Sequence, residues 1–271
     1  MMQLTTSLAA AFELTEVGDQ VWQARVDETW RGWTGPHGGV IAALTIEVAR
    51  RASEFDLPVR TLDLRFLRRP RDGFLSLRAV DRPIGRSTRV VEVIAEQEGE
   101  AIASASITLG RAGRTEIQER TGRAMPEAPE PEACAIFRLP PEIVPVGAHF
   151  EIRPAAGPLP LTGADEASMT AWIALTPAMA TDAAALAILA DALPPAVFPA
   201  LTLPLAVPTV ALSMHLHTDL ADTASPRVLV RTANLSTGGG WSVDDTDIWD
   251  DRGHLLATAR QSRRVLGRIG A

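Results

Sequence analysis

A helix-like segment followed by a run of strand-like segments occurs twice in this chain, and that duplication constrains its fold more than any other feature. In the first half, Val40, Ile41, Leu44 and Val48 fall at helical spacing within residues 40–51. Arg50 and Arg51 close that segment, where cations suit the negative end of a helix dipole. Alternating or β-branched segments precede it at 20–26 and follow it at 61–67, 74–80, 87–96 and 100–109. The second half repeats the order. Segments 150–152 and 171–175 precede an apolar, alanine-rich run at 181–193, and 209–217, 227–233, 241–249 and 255–265 follow it. The closing strands match best: Gly99 to Ile107 lies over Gly253 to Gln261, and Gly85-Arg86 over Gly239-Gly240.

A helix with an apolar stripe must bury it, and an antiparallel sheet wrapped around the helix does so. The expectation is an α+β chain of two such units, residues 1–110 and 148–271, joined by a connecting segment over 111–147. In that segment Pro126, Pro129 and Pro131 alternate with Glu127, Glu130 and Glu132. Proline removes backbone donors and the glutamates repel one another, so the segment stays extended.

Composition narrows the function classes. The net charge of −7 argues against non-specific nucleic-acid binding and against a polybasic membrane surface. The single cysteine, Cys134, excludes an intrachain disulfide framework and a multi-thiolate metal site. The N-terminus has no basic segment leading into an apolar one, and no apolar run approaches the roughly 20 residues of a membrane span. The expectation is a cytoplasmic protein with no metal and no cofactor.

Three residues of the second half carry polar chemistry on otherwise apolar elements. Asp191 sits near the end of the 181–193 run, where the helix dipole and apolar neighbours would both disfavour its charge and make it a stronger base. A turn before Pro194 is the plainer explanation of an aspartate there. Thr209 opens a strand, and Thr61 is its first-half counterpart by simple alignment. Gln261 stands where the first half has Ile107, so a core-facing glutamine would need a buried partner unless that strand has exchanged its faces.

The order and surroundings of Asp191, Thr209 and Gln261 resemble those of the double-hotdog acyl-CoA thioesterases, the thioesterase II group. The resemblance spans nearly the whole chain. It implies a duplicated hotdog fold and hydrolysis of acyl-CoA to a free acid and coenzyme A. It also implies that an Asp, a Thr and a Gln hold the attacking water, with one competent site per chain. The first half lacks this set: its helix carries only Glu47 as an internal acid, and Ile107 replaces the glutamine. Single hotdogs pair to cover sheet edges; a duplicated chain makes that pair internally, and a further homodimer is allowed.

Other groups are open to two readings. His37, Gly38 and Gly39 lie just before the first helix, where backbone N–H groups could face an oxyanion or phosphate and the histidine could move a proton; a turn built for steric reasons explains them equally. Arg65, Arg68, Arg69 and Arg71, with Arg260, Arg263, Arg264 and Arg268, could contact the phosphates of coenzyme A or simply solubilise strand ends. His215 and His217 alternate on one strand face without an evident third metal ligand, and Gly238 to Gly240 lacks the helix and lysine of a nucleotide loop. Two rival functions remain: a double-hotdog enoyl-CoA hydratase or dehydratase, which would need an Asp and a His together, and a non-catalytic acyl-CoA-binding protein.

Overall fold

The structure is a computed structural model that describes residues 7–33, 35–113, 116–117, 120–138, 140–217 and 225–267. Arg268 lies outside the described residues. The first half holds α1 (Leu8–Ala11), β1 (Thr15–Gly18), β2 (Val21–Val26), α2 (Gly38–Ala52), β3 (Val59–Phe66), β4 (Gly73–Ile84), β5 (Thr88–Gln97) and β6 (Glu100–Gly110). The second half holds β7 (Phe150–Ala156), β8 (Ser168–Leu175), α3 (Ala183–Ala190), β9 (Thr209–Leu216), β10 (Arg227–Gly238), β11 (Trp241–Trp249) and β12 (Leu255–Arg264). All twelve strands join one antiparallel sheet in the order β1-β2-β4-β5-β6-β3-β9-β12-β11-β10-β8-β7. The halves meet at β3 and β9, so neither leaves that edge open. This is the duplicated hotdog expected from the sequence.

Each helix packs on strands of its own half, α2 on β3 to β6 and α3 on β8 and β11, and the two helices pack on each other. All eight residues of α3 are buried. A helix apolar all round survives only when enclosed in this way. Asp182 caps it, its carboxylate accepting from the Ala185 N–H at 2.9 Å. The helix is shorter than the apolar run 181–193, because it stops at Asp191 ahead of Pro194 and Pro195.

The ladders of the two halves correspond rung by rung. Ile107 pairs with Leu62 on one side and Val91 on the other; Gln261 pairs with Leu212 and Asp244. A register shift follows in both halves, after which Val59 faces Leu109 and Thr209 faces Arg263. The counterpart of Thr209 is therefore Val59, not Thr61, which lies on the other side of the shift opposite Thr108. Four buried apolar residues of the first half, Val59, Val91, Ile107 and Leu109, are thus replaced in the second by Thr209, Asp244, Gln261 and Arg263.

The connecting segment lies against the second half. The Trp172 indole N–H donates to the Pro129 carbonyl at 2.9 Å, the Trp249 indole to the Arg123 carbonyl at 3.2 Å, and the Phe137 N–H to the Ile152 carbonyl at 2.8 Å. Its prolines and glutamates leave it without helix or strand over 123–130, as expected, but it is anchored by tryptophans from β8 and β11.

Candidate active site

The start of α2 meets the end of α3. Contact this close requires Gly38 and Gly39. A Cβ on Gly39 would lie 2.7 Å from the Ala187 carbonyl oxygen and 2.8 Å from the Ile188 Cα. A Cβ on Gly38 would lie 2.9 Å from Asp191 Oδ2. The absence of both side chains lets the first turn of α2 face the Asp191 carboxylate, and the Gly39 N–H donates to Asp191 Oδ2 at 3.0 Å. Asp191 is thus the C-cap of α3 and also the acceptor for the N-terminus of α2.

Gln261 on β12 supplies the other oxygen's partner. Its Nε2 donates to Asp191 Oδ1 at 2.8 Å and to Thr209 Oγ1 at 3.2 Å. The sequence-predicted trio therefore meets through one carboxamide, and both of its protons are engaged. Gln261 itself is 2 % exposed and faces the core, so its strand has not exchanged faces.

Arg263 completes the set, in neither of the roles open to it from the sequence, contact with coenzyme A phosphates or solubilising a strand end. Its guanidinium is buried. Nη1 donates to Thr209 Oγ1 at 2.8 Å, Nη2 donates to Gln261 Oε1, and Nε donates to Asp244 Oδ2 at 2.9 Å. Nη2 also lies 3.6 Å from Asp191 Oδ1. Asp244 is fully enclosed, and accepts further from the Ala196 N–H at 3.2 Å and the Asn234 side-chain amide at 2.9 Å. The signal that would have found this pair is the comparison of halves, since Val91 and Leu109 stand in their places.

His37 is buried and caps no backbone N–H with its side chain. Its Nε2 is 2.8 Å from the Asp191 carbonyl oxygen, an acceptor, so Nε2 carries the proton. The same nitrogen lies 3.5 Å from Asp191 Oδ2, while Nδ1 is enclosed without a partner.

These groups border a pocket of about 530 Å³. Asp191, Thr209, Arg263, His37 and Gly38 form its polar wall, and Trp33, Val144, Val146, Phe198, Leu205 and Val207 its apolar wall. Arg68 and Arg69 lie on its border. The other described arginines of the two clusters are elsewhere: Arg71 is beside Glu98, Arg260 is bonded to Asp245, and Arg264 donates to the Gly240 carbonyl over the Trp241 ring. Arg65 donates to the Leu64 carbonyl. His215 on β9 and His217 just past its end are both exposed, and no cluster of three or more metal-ligating side chains occurs among the described residues. No helix among them is long and apolar enough to cross a membrane.

Two family models cover most of the chain, the acyl-CoA thioesterase N-terminal domain over residues 26–110 and the acyl-CoA thioesterase C-terminal domain over 122–265. No curated protein sequence matches. Among solved structures, a hot dog fold protein of unknown function from Alicyclobacillus acidocaldarius is 23% identical, with a TM-score of 0.89 over 98% of this chain and 100% of that one. The tesB protein of Mycobacterium avium subs paratuberculosis is 20% identical, with a TM-score of 0.75 over 96% and 98%. The acyl-CoA thioesterase II TesB2 of Mycobacterium marinum is 20% identical, with a TM-score of 0.72 over 98% and 100%. With both of the family's domains present in order, this chain belongs to the double-hotdog acyl-CoA thioesterase family.

Proposed function

We propose that this protein hydrolyses acyl-CoA thioesters to a free acid and coenzyme A at the site around Asp191. The observation that carries this reading is that a carboxylate and a hydroxyl, Asp191 and Thr209, share one buried carboxamide at the border of a largely apolar pocket. Thr209 Oγ1 accepts from both Gln261 and Arg263, so both its lone pairs are taken and its proton is left to donate to a water in the pocket. That water gives a proton to Asp191 as its free lone pair attacks the thioester carbon. The C–S bond then breaks, and the departing sulfur takes the proton back from Asp191. Gln261 acts on the water through its two neighbours. The first N–H groups of α2, at Gly38 in particular, suit the developing oxyanion, because a helix start has no internal acceptor for them.

The approach of His37 to Asp191 favours a second reading, addition of water to an enoyl-CoA. Against it, the His37 Nε2 proton already faces a backbone carbonyl and Nδ1 is enclosed. A panel of saturated acyl-CoAs and trans-2-enoyl-CoAs separates the readings. Thiol release from saturated substrates is expected. Loss of enoyl absorbance without thiol release would replace hydrolysis by hydration, and tight binding without either would leave a carrier.

A further inference from the structure

The buried pair Arg263–Asp244 has no equivalent in the first half, where Leu109 and Val91 fill the same rungs and the fold closes without it. The pair is therefore not needed to build a hotdog. What Arg263 does touch is the whole reactive set: Thr209 Oγ1, Gln261 Oε1 and, at 3.6 Å, Asp191 Oδ1.

We propose that Arg263, held in place by Asp244, is a positioning residue that sets the polarity of the site. This rests on the hydrolytic reading above. A carboxamide can turn by half a revolution at little cost when nothing distinguishes its ends. Arg263 Nη2 can only donate, so it fixes Gln261 Oε1 toward itself and Nε2 toward Asp191 and Thr209. Turned the other way, Gln261 would present its oxygen to the Asp191 carboxylate, oxygen against oxygen. Arg263 Nη1 fills one acceptor site of Thr209 and the glutamine fills the other, which forces the hydroxyl to act as a donor. The guanidinium achieves both because its N–H groups form a planar fork; the third arm, Nε, is fixed by Asp244. Asp244 is in turn held by the Ala196 N–H and the Asn234 amide, so the chain of fixation reaches the backbone at Ala196.

Two variants test this. Arg263→Lys keeps a cation against Asp244 but cannot reach Thr209 and Gln261 together. The double variant Arg263→Leu, Asp244→Val installs the residues that the first half already packs at these rungs. Both are expected to fold and to lose about 100-fold in kcat on acyl-CoA, the scale of a lost alignment, with KM changed by no more than about threefold. The side-chain amide protons of Gln261, followed by 15N–1H NMR and assigned by their loss in Gln261→Ala, should exchange slowly in the parent and faster in both variants. If the lysine variant does not fold, the double variant decides alone. A folded double variant with parental kcat, or with Gln261 amide exchange unchanged, overturns the proposal. So does a double variant that cannot fold, since the pair would then hold up the fold. The amide measurement needs no turnover: an inactive parent would overturn the hydrolytic reading, while amide exchange would still decide whether Arg263 orients Gln261.

Discussion

Gln261 donates to Asp191 at 2.8 Å on a rung of the sheet where the first half places Ile107. One polar replacement on a duplicated scaffold is thereby tied to a helix end 70 residues away in sequence. Its partners Thr209, Asp244 and Arg263 replace apolar residues of the same ladders, so the second half has exchanged a piece of core for a polar network. Such a network holds only if every member is satisfied, and this gives each member a different expected sensitivity.

Thr209 separates hydroxyl from methyl. Thr209→Ser keeps the oxygen and should retain most of the activity. Thr209→Val keeps the shape but leaves an Arg263 N–H and a Gln261 N–H without acceptors, at a cost of about 1–3 kcal/mol in stability. It should also remove nearly all hydrolysis. Denaturant melts and thiol release on the two variants check both statements; equal behaviour of Ser and Val would show that the oxygen is idle.

The helix contact depends on Gly39. Gly39→Ala puts a methyl within 2.8 Å of α3 backbone atoms, which cannot give way as a side-chain tip would. Overpacking of this kind costs about 1–3 kcal/mol. The helices must separate, so the bond from the Gly39 N–H to Asp191 should lengthen and activity fall along with the melting temperature. Parental stability in this variant would mean that the glycine is not required for the approach.

Single and double changes at the buried ion pair should differ in size. Asp244→Val alone strands the Arg263 guanidinium in the core and should cost about 3–5 kcal/mol, whereas replacing both partners should cost less, leaving only neutral groups such as the Ala196 N–H without a partner. Thermal melts of the two variants side by side measure the difference.

Much of this was legible in the sequence, for identifiable reasons. The strands and α2 follow local periodicity, and the closing strands align because both follow a tight turn at a left-handed glycine, Gly99 at φ +81° and Gly253 at φ +85°. Asp191, Thr209 and Gln261 stood out through the family resemblance, and the structure brings their side chains together. Thr209 was matched to the wrong partner because the spacing between repeats changes along the chain: Leu62 and Leu212 are equivalent at one offset, Ile107 and Gln261 at another. Arg263 offered only a phosphate contact or a solubilised strand end, because nothing local in the sequence marks its pairing with Asp244, which the three-dimensional structure shows enclosed. The fixing of the connecting segment by Trp172 and Trp249 is likewise a contact between distant positions that no local pattern encodes.

On the strand surface, Asp245 gives a pH dependence. Its carboxylate is held below its ordinary value of 3.8 chiefly by the hydrogen bond from Arg260, with burial opposing. A depressed carboxylate stabilises the fold fully above its unfolded value and loses that contribution as pH falls through the folded value. Asp245→Asn should therefore lower the melting temperature near neutral pH, by no more than about 3 °C for an exposed partner of this kind. The difference from the parent should shrink as pH falls through the folded value, which lies below 3.8, because the parent's own carboxyl is then protonated. A difference independent of pH would assign the effect to packing.

In the hydrolysis proposed above, Asp191 accepts the proton of the attacking water. Asn behaves much as Asp does at helix ends and turns, so Asp191→Asn keeps the shape and the cap while removing the base. Rates of thiol release from acyl-CoA by parent and variant, with melting temperature and acyl-CoA affinity recorded alongside, test it most directly. The account predicts a folded variant that binds acyl-CoA as the parent does and hydrolyses it at least about 100-fold more slowly. A folded variant hydrolysing at the parental rate would contradict it and reduce Asp191 to the cap of α3.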